Sequence, residues 1–418
     1  MRTILHSDCN NFYASVECAL HPELRGKPLA VCGSKEKRHG IVLAKNELAK
    51  ACGVKTGDAI WQAVKKCPVL EVIHPHHGLY GDFSRKMQKI YADYTDQVEP
   101  FGLDECWLDV TGCQKNGVEI AAEIRKRAKA DLGITASVGV SFNKVFAKLG
   151  SDLRKPDATT IITPENFKEK LWPLPAGDLL FVGRRTRQAL SGRGLYTIGD
   201  VARADLHVLR KLFGKSGEML KSYALGLDDS PVQRIGNYDP LKSIGNSTTT
   251  PRDLMNEEDA KIILYALCDS VAARLRENGM KCRVVALWVR DNALSCYERQ
   301  RAFSLPTNLS RDLFDISLSL LRASYAWDRP IRSLGVRCAN LVDENFSAQT
   351  LLFQNEQDAR REKLERTIDE ICLRHGASAM KRAVLLSDPT LIEEDIRSTH
   401  GASPLRGAPD FDPYQGIE

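Results

Sequence analysis

The 418-residue chain contains no Cys-x-x-Cys pair, although it has 12 cysteines. The cysteines are scattered singly, and most lie in apolar stretches, where a reduced cysteine packs as a small hydrophobic residue. Zinc-binding domains and disulfide-rich domains both group their cysteines at short, recurring spacings. The distribution therefore argues against a zinc domain and against a disulfide framework.

The sequence also lacks a long apolar run. No stretch approaches the roughly 20 residues of a membrane-spanning helix, and the N-terminal MRTILHSDCNNF meets an acid too early for a signal peptide. We therefore expect a cytoplasmic protein with no membrane segment. With 43% hydrophobic and 27% charged residues the chain is typical of globular proteins. Its formal charge of +5 permits a polyanionic partner without requiring one.

The pattern of apolar residues changes along the chain. Strand and helix patterns alternate over residues 1–165, which predicts an α/β domain. Proline and glycine in 172–183 mark a boundary, and a basic helical region follows. A polar linker is predicted over 228–248, and an α+β domain of two helices and three strands after it. Roughly the last seventy residues are charged and helical, and they end in a Pro/Gly-rich tail that we predict to be disordered.

Adjacent acids interrupt the apolar, strand-forming run FGLDECWLDV at 101–110. Burial makes Asp104 and Glu105 costly unless a positive group compensates them. Asp8 ends the first predicted strand and can converge with them, because acids at the ends of adjacent strands lie close together. Such a set suits Mg²⁺ and in-line displacement at phosphorus, but a buried ion pair with lysine or arginine explains it equally well. Asp109, on the same strand, we interpret as structural.

Four stretches stand in the order and spacing of a known family: ILHSDCNNFYASVE, VLAKNELAKACGVKTGD, FGLDECWLDVTG and SVGVSFNKVFAKLGSDLRKPDAT. Together they resemble the Y-family (translesion) DNA polymerases. The resemblance runs from residue 1 to about 385 and is most specific over the first 165. Some details are similar to the bacterial UmuC branch and the remainder to the DNA polymerase IV (DinB) branch, so the branch stays open.

The resemblance implies an α/β multidomain protein with the right-hand polymerase fold. Its expected parts are a catalytic palm (1–10 and 76–165), fingers (11–75), a helical, helix-hairpin-helix-like thumb (166–235), an α+β little finger (240–345), and a clamp-binding peptide with a charged helical tail (346–418).

The implied activity is low-fidelity, template-directed transfer of nucleotides from dNTPs to a primer 3′-hydroxyl. Asp8, Asp104, Glu105 and the main-chain carbonyl of Cys9 would bind two Mg²⁺ ions. The implied partners are primer–template DNA and dNTPs, and we expect a monomer. The alternative is a non-catalytic accessory factor of the UmuC type that binds DNA and the sliding clamp.

The resemblance also assigns the surroundings of the nucleotide. Tyr13 would be the steric gate, whose ring leaves no room for the 2′-hydroxyl of a ribonucleotide, and Phe12 would pack beside it. From the helical pattern alone, both aromatic residues read as helix core. Ile41 and Leu43 would form the roof over the nascent base pair.

Two lysines match basic positions that contact the triphosphate in the family. Lys50 and Lys155 would supply point charges where negative charge accumulates, although each alone reads as a surface lysine. The chain departs from the more familiar pattern nearby, because Ala44 and Glu47 replace a hydroxyl residue and a tyrosine.

Basic residues recur in the expected thumb and little finger. Their spacing suits sequence-independent contact with DNA phosphates, with a solvated basic face as the alternative. The candidates are Arg184, Arg185, Arg299, Arg301, Arg332 and Arg337.

The pentapeptide QTLLF follows the expected little finger. It resembles the peptide that binds the bacterial sliding clamp, in which Gln349 and the apolar anchors Leu352 and Phe353 would fill a groove on the clamp. The alternative is the first turn of a following helix.

Overall fold

The computed structural model describes residues 2–34, 40–237, 240–345, 356–376, 379–388 and 390–391. The chain divides into two compact units, one built mainly from residues 1–32 and 42–238 and the other mainly from residues 239 onward. Among the described residues, no helix is both long enough and apolar enough to cross a membrane. The predicted disordered tail lies outside the described residues.

The first unit contains a five-stranded and a three-stranded sheet. Its strands are β1 (Ile4–Cys9), β2 (Leu29–Cys32), β3 (Val42–Lys45), β4 (Glu71–Ile73), β5 (Val98–Pro100), β6 (Glu105–Asp109), β7 (Ala136–Ser141) and β8 (Thr159–Ile161). The larger sheet has the order β5-β6-β1-β7-β8, and the smaller one has the order β3-β2-β4. Only β7–β8 and β2–β4 pair in parallel among these strands.

Eleven α-helices belong to the same unit. They are α1 (Phe12–Leu20), α2 (Glu47–Ala51), α3 (Ile60–Lys66), α4 (His77–Ala92), α5 (Gly117–Leu132), α6 (Lys144–Leu153), α7 (Phe167–Leu171), α8 (Arg184–Ser191), α9 (Ile198–Arg203), α10 (Leu206–Phe213) and α11 (Lys215–Ala224). The last four lie in the helical region that the sequence predicts after residues 172–183. The larger sheet is covered on one face by α4 and α5, which share a core with Leu5 and Leu108, and on the other by α6.

The second unit is a four-stranded antiparallel sheet with helices on one face. Its elements are β9 (Ser243–Leu254), α12 (Glu257–Glu277), β10 (Met280–Asp291), β11 (Cys296–Thr307), α13 (Ser310–Ser324), β12 (Ile331–Asp343) and α14 (Glu356–His375). The strand order is β11-β10-β12-β9. Helices α12 and α13 share its apolar core with the inward residues of the sheet, such as Val285 and Leu287.

The first strand of this sheet corrects the sequence prediction. We predicted three strands and a linker through residue 248, but β9 begins at Ser243 and pairs with β12. The sequence of β9, SIGNSTTTPRDL, is mostly polar, and the strand lies at the sheet edge, where four of its twelve residues are buried. Apolar alternation, the usual signal of a strand, is therefore weak there.

Ion pairs attach the C-terminal helix α14 to the second unit. The buried guanidinium of Arg276 on α12 pairs with Glu365 and, at 2.6 Å, with Asp369. Nearby, Lys281 Nζ lies 2.5 Å from a carboxylate oxygen of Glu362. The charge of α14 was predicted from the sequence, but its attachment through these pairs was not.

Candidate active site

The three predicted acids converge at one end of the larger sheet. Strands β1 and β6 are antiparallel, and their register places Asp8 directly opposite Glu105. Asp104 lies in the bend before β6, where its carbonyl accepts a hydrogen bond from the Cys9 backbone N–H at 2.9 Å. Asp8 is 3% exposed. Residues almost a hundred positions apart therefore form one acidic cluster.

Helix α6 approaches this cluster because β7 carries a glycine beneath it. A Cβ added to Gly139 would lie 2.6 Å from the Ser151 nitrogen and closer still to the Ala147 carbonyl oxygen. Gly150, on the helix, is equally close to the strand, since its added Cβ would lie 3.2 Å from the Gly139 Cα. Any larger residue at 139 would push the helix away from the sheet and from the acids.

The helix brings two lysines to the acids. Lys148 Nζ is 2.8 Å from Glu105 Oε1 and 3.2 Å from Asp8 Oδ2. Lys155, just beyond the helix, places its Nζ 2.7 Å from Asp8 Oδ2. Asp152 pairs with both lysines, at 3.3 and 2.8 Å. The ion-pair alternative raised by the sequence is thus present in this arrangement.

Electrostatics at Lys148 favour its charged form. Burial by itself lowers the pKa of Lys148, but the attraction of Asp8, Glu105 and Asp152 outweighs burial and raises that pKa above its ordinary value. Sequence reasoning identified Lys155 and missed Lys148 and Asp152. Asp152 lies four residues after Lys148 and three before Lys155, and residues at these spacings share a helix face. This spacing was the signal that could have revealed Lys148 and Asp152.

A buried histidine contacts the other side of Glu105. His6 Nδ1 is 2.8 Å from Ser151 Oγ, and its Nε2 is 3.4 Å from Glu105 Oε2. Burial, and then the charge of Lys148, lower the pKa of His6 from 6.5 to about 3, so the imidazole is neutral at neutral pH. Among the described residues, neither His6 Nε2 nor Glu105 Oε2 has a hydrogen-bond partner that meets normal geometry.

The donor set fits a hard divalent cation. Asp8, Asp104 and Glu105 offer carboxylate oxygens, the ligands that Mg²⁺ prefers, and Glu105 Oε2 is buried without a hydrogen bond. Within the described part of the chain, no group of three acid, histidine or cysteine side chains is already set to hold a metal. The Lys148 ammonium lies between Asp8 and Glu105, so a cation at these oxygens would require the lysine to move.

Tyr13 has one face of its ring covered by another tyrosine. Its ring stacks on that of Tyr80 with centroids 4.1 Å apart and planes 13° from parallel. Tyr80 is fully buried, and its hydroxyl donates to Glu17 Oε1 at 2.6 Å. Phe12 is 3% exposed and belongs to the core. Burial, and then the charge of Asp104, raise the pKa of Tyr13, which places its ring within electrostatic reach of the acids.

The other predicted nucleotide residues lie on the smaller sheet or on α2. Lys50 is 53% exposed and pairs with Glu47 at 3.5 Å. Glu47 also accepts a hydrogen bond from Asn11, in the turn after β1, at 2.9 Å. Ile41 is 45% exposed, and Leu43 is partly exposed. Unlike Lys155, Lys50 has no ion pair with the three acids among the described contacts.

Two of the predicted arginines lie on the helix-covered side of the second sheet. Arg299 and Arg301 share a face of β11, as predicted, and Arg301 donates to Ser319 on α13 at 3.0 Å. Arg337 lies on β12 on the opposite face and pairs with Glu298 at 2.5 Å. The predicted set is therefore divided between the two faces.

The remaining predicted residues differ in what the structure describes. Arg184 and Arg185 are exposed in the first turn of α8, and Arg332 is partly exposed at the start of β12. The candidate clamp-binding residues Gln349, Leu352 and Phe353 lie outside the described residues.

Asp109, at the opposite end of β6 from Glu105, has structural partners. Its Oδ1 accepts the Thr111 backbone N–H at 3.0 Å, and its Oδ2 lies 3.6 Å from Arg2. These contacts support the structural interpretation.

Replacement of Asp104 by Asn should change how stability depends on pH. Burial, and then the charges of Asp8 and Glu105, raise the pKa of Asp104 from 3.8 to about 6. The folded state therefore binds this proton more tightly than the unfolded state, and ionisation of Asp104 costs stability as the pH rises through 6. In EDTA at pH 7.5, Asp104→Asn should be more stable than wild type by about 1 to 3 kcal/mol.

Denaturant unfolding from pH 4 to 8 measures this difference, which should shrink toward zero at the acid end. The control Asp109→Asn should lose stability across the same range, because Asp109 has structural partners. A gain for Asp104→Asn that does not vary with pH would contradict the assignment.

Comparisons with known proteins cover most of the chain. The profile of the impB/mucB/samB family matches residues 7–152, and that of its C-terminal domain matches residues 241–351. A protein from Acetivibrio thermocellus named DNA polymerase IV is 48% identical over 93% of this chain and 98% of its own length. A DNA polymerase IV from Pelotomaculum thermopropionicum is 38% identical over 94% and 97%.

A solved structure shares the fold. It is a Y-family DNA polymerase chimera of Dbh and Dpo4, with a TM-score of 0.74, 24% identity, and coverage of 82% of this chain and 99% of the other. The right-hand fold expected from the sequence is confirmed by this match. Together with the family profiles and the curated relatives, it shows that the chain belongs to the impB/mucB/samB family of Y-family DNA polymerases.

Proposed function

We propose that this protein is a DNA polymerase of low fidelity that copies damaged templates by adding dNTPs to a primer 3′-hydroxyl. The observation that carries the proposal is the convergence of Asp8, Asp104 and Glu105 beside Lys155. A binding module needs no such set, because three acids at one strand end cost stability without a cation to bind.

The acids and the Cys9 carbonyl would hold two Mg²⁺ ions, which when bound supply charge that activates the primer hydroxyl and stabilises the departing pyrophosphate. Lys155 contributes a fixed positive charge at the edge of this site for the triphosphate. Lys50, exposed on α2 and paired only loosely with Glu47, is free to turn toward a phosphate. The Asn11–Glu47 hydrogen bond ties α2 to the turn that precedes α1, the helix that carries Tyr13.

Tyr13 selects the sugar in this proposal. Its stacking on buried Tyr80 fixes the ring, so a ribose 2′-hydroxyl meets a rigid surface rather than a movable side chain. The exposure of Ile41 suits contact with the nascent base pair, together with Leu43. A roof of modest apolar residues is compatible with templates that carry bulky lesions.

The DNA contacts follow the domains expected from the family. Residues 1–10 and 76–165 act as palm, 11–75 as fingers, 166–235 as thumb and 240–345 as little finger. Arginines on the thumb and on the little-finger sheet contact phosphates, so affinity for primer–template DNA falls as salt rises. Those contacts use Arg184, Arg185, Arg299, Arg301, Arg332 and Arg337.

The proposal extends to partners and compartment. QTLLF, between β12 and α14, binds the bacterial sliding clamp, which would keep a weakly held polymerase on its template. The protein acts in the cytoplasm as a monomer on DNA.

Removal of a site carboxylate should abolish synthesis. We expect Asp104→Ala and Glu105→Ala each to lower primer extension at least about a hundredfold. Each substitution removes a carboxylate that would hold the Mg²⁺ ions at the reacting phosphate. Extension of a labelled primer with Mg²⁺ and dNTPs measures this. Asp109→Asn, on the same strand but away from the site, should keep near wild-type activity. Undiminished synthesis by either alanine variant would refute the assignment.

Tyr13→Ala should admit ribonucleotides. The smaller residue leaves space for the 2′-hydroxyl, so the preference for dNTP over rNTP should fall by roughly one to two orders of magnitude. Single-nucleotide incorporation with matched dNTP and rNTP measures the ratio. Tyr13→Phe keeps the ring and should keep the discrimination, and an unchanged ratio in Tyr13→Ala would place the gate elsewhere.

Replacement of Gln349 and Phe353 by Ala should abolish stimulation by the sliding clamp while basal synthesis persists. The substitutions remove the polar and apolar anchors of the peptide without changing the polymerase site. Extension on primed circular DNA, with and without loaded clamp, separates the two activities. Gln354→Ala, just outside the pentapeptide, is the matched control, and equal stimulation in the double variant would contradict the role of QTLLF.

A further inference from the structure

A lysine ammonium already occupies the space between the two acids that face each other across β1 and β6. Lys148 Nζ contacts Glu105 Oε1 at 2.8 Å and Asp8 Oδ2 at 3.2 Å. The side chain is 14% exposed, whereas that of Lys155 is 30% exposed. Lys148 is therefore the more deeply placed cation of the site, and it contacts both strands.

We propose that Lys148 is a resident counter-cation, and that divalent metal ions bind Asp8 and Glu105 in competition with it. The inference rests on the proposed function, because it concerns the same carboxylates. It adds a positioning role for a residue outside the expected ligand and triphosphate-binding sets.

Competition follows from space and charge. A magnesium ion requires oxygen ligands at about 2.0–2.1 Å in near-octahedral geometry, and the oxygens that would supply them now contact an ammonium group. Two cations a few ångströms apart in a partly buried site repel strongly. Either the lysine or the metal can occupy the space between Asp8 and Glu105, but not both at these distances.

The fold offers the displaced lysine a second acid. Asp152 lies one turn along α6, and its Oδ2 is already 3.3 Å from Lys148 Nζ. A change of side-chain rotamer can therefore move the ammonium toward Asp152 without leaving its charge unpaired. Movement of α6 is not required, which is consistent with the tight packing of Gly139 against the helix.

The same arrangement explains how the acidic cluster is stable before metal binds. Among the described contacts, Glu105 without Lys148 would keep only the neutral His6 beside it, since Lys155 pairs with Asp8 and Asp152. The Glu105 side chain is 21% exposed, with its Oε2 atom buried, so an ionised Glu105 without a cationic partner lowers the stability of the fold. The lysine thus stabilises the metal-free state and weakens metal binding by the same contacts.

Lys148→Met tests the proposal, because methionine keeps much of the length of the side chain and removes its charge. We expect Mn²⁺ to bind roughly fivefold or more tightly than to wild type. The measurement is a titration without DNA or nucleotide, at constant ionic strength, with free Mn²⁺ followed by electron paramagnetic resonance. In EDTA the variant should unfold at a lower temperature than wild type, and saturating Mg²⁺ should reduce or reverse that difference.

Lys144→Met is the matched control. Lys144 lies on the same helix, is similarly buried at 12% exposure, and pairs with Glu99 at 2.7 Å rather than with the site acids. Its loss should lower the unfolding temperature equally in EDTA and in Mg²⁺ and leave Mn²⁺ affinity unchanged. This comparison separates a general cost of losing a buried lysine from competition with metal.

Equal or weaker Mn²⁺ binding by Lys148→Met would overturn the inference, while Mn²⁺ binding by wild type would still support the proposed function. Absence of Mn²⁺ binding to both wild type and Lys148→Met would overturn both. If Lys148→Met does not fold, Lys148→Arg provides the test, since it keeps the charge and should bind Mn²⁺ no more tightly than wild type. Tighter binding by the arginine variant would overturn the inference.

Discussion

The attraction between Lys148 and the carboxylates of Asp8 and Glu105 is the interaction on which the catalytic sheet depends. Two acids face each other across neighbouring strands, and the ammonium group of Lys148 between them offsets their repulsion. The lysine reaches them only because Gly139 permits α6 to lie directly on β7. The absence of a side chain at Gly139 therefore allows the ammonium group of Lys148 to reach the acids. The pairing of the acids therefore depends on the position of α6, and that position depends on Gly139.

The sequence predicted the acids but not their immediate partners, and the reason is physical. Asp104 and Glu105 stand out because a strand of apolar residues contrasts with them locally. Lys148 belongs to a helix whose polar residues resemble any solvated face, so its role appears only when the helix packs on the sheet. Tyr80 was missed for the same reason, since its contact with Tyr13 joins two helices far apart in sequence. Local contrast is readable from sequence, whereas pairing between distant elements depends on the fold.

In the second unit, too, the sequence predicted apolar elements better than contacts between distant elements. Its apolar strands and helices were predicted, but the first half of the edge strand β9 was assigned to a linker, because the polar sequence of the strand carries little apolar alternation. Helix α14 was predicted as charged and helical. The sequence did not predict that its acids Glu365 and Asp369 pair with the buried guanidinium of Arg276. Resemblance to a family supplied expected domain boundaries and functional residues that patterns alone left open, and these stay predictions. It did not supply the ion pairs, because those depend on the partners that this chain provides.

The net charge of the acidic cluster affects how metal ions and a triphosphate would bind there. The acids Asp8, Asp104, Glu105 and Asp152 outnumber the two lysines, and His6 is neutral, so the metal-free cluster remains negative. A triphosphate that approached such a cluster alone would be repelled, while divalent ions reverse the sign of the site and remove the repulsion. Because Lys148 already satisfies part of the negative charge, weak metal binding in the absence of nucleotide is the expected consequence. On the proposed function, metal and triphosphate would bind most favourably together, since each supplies the charge that the other lacks.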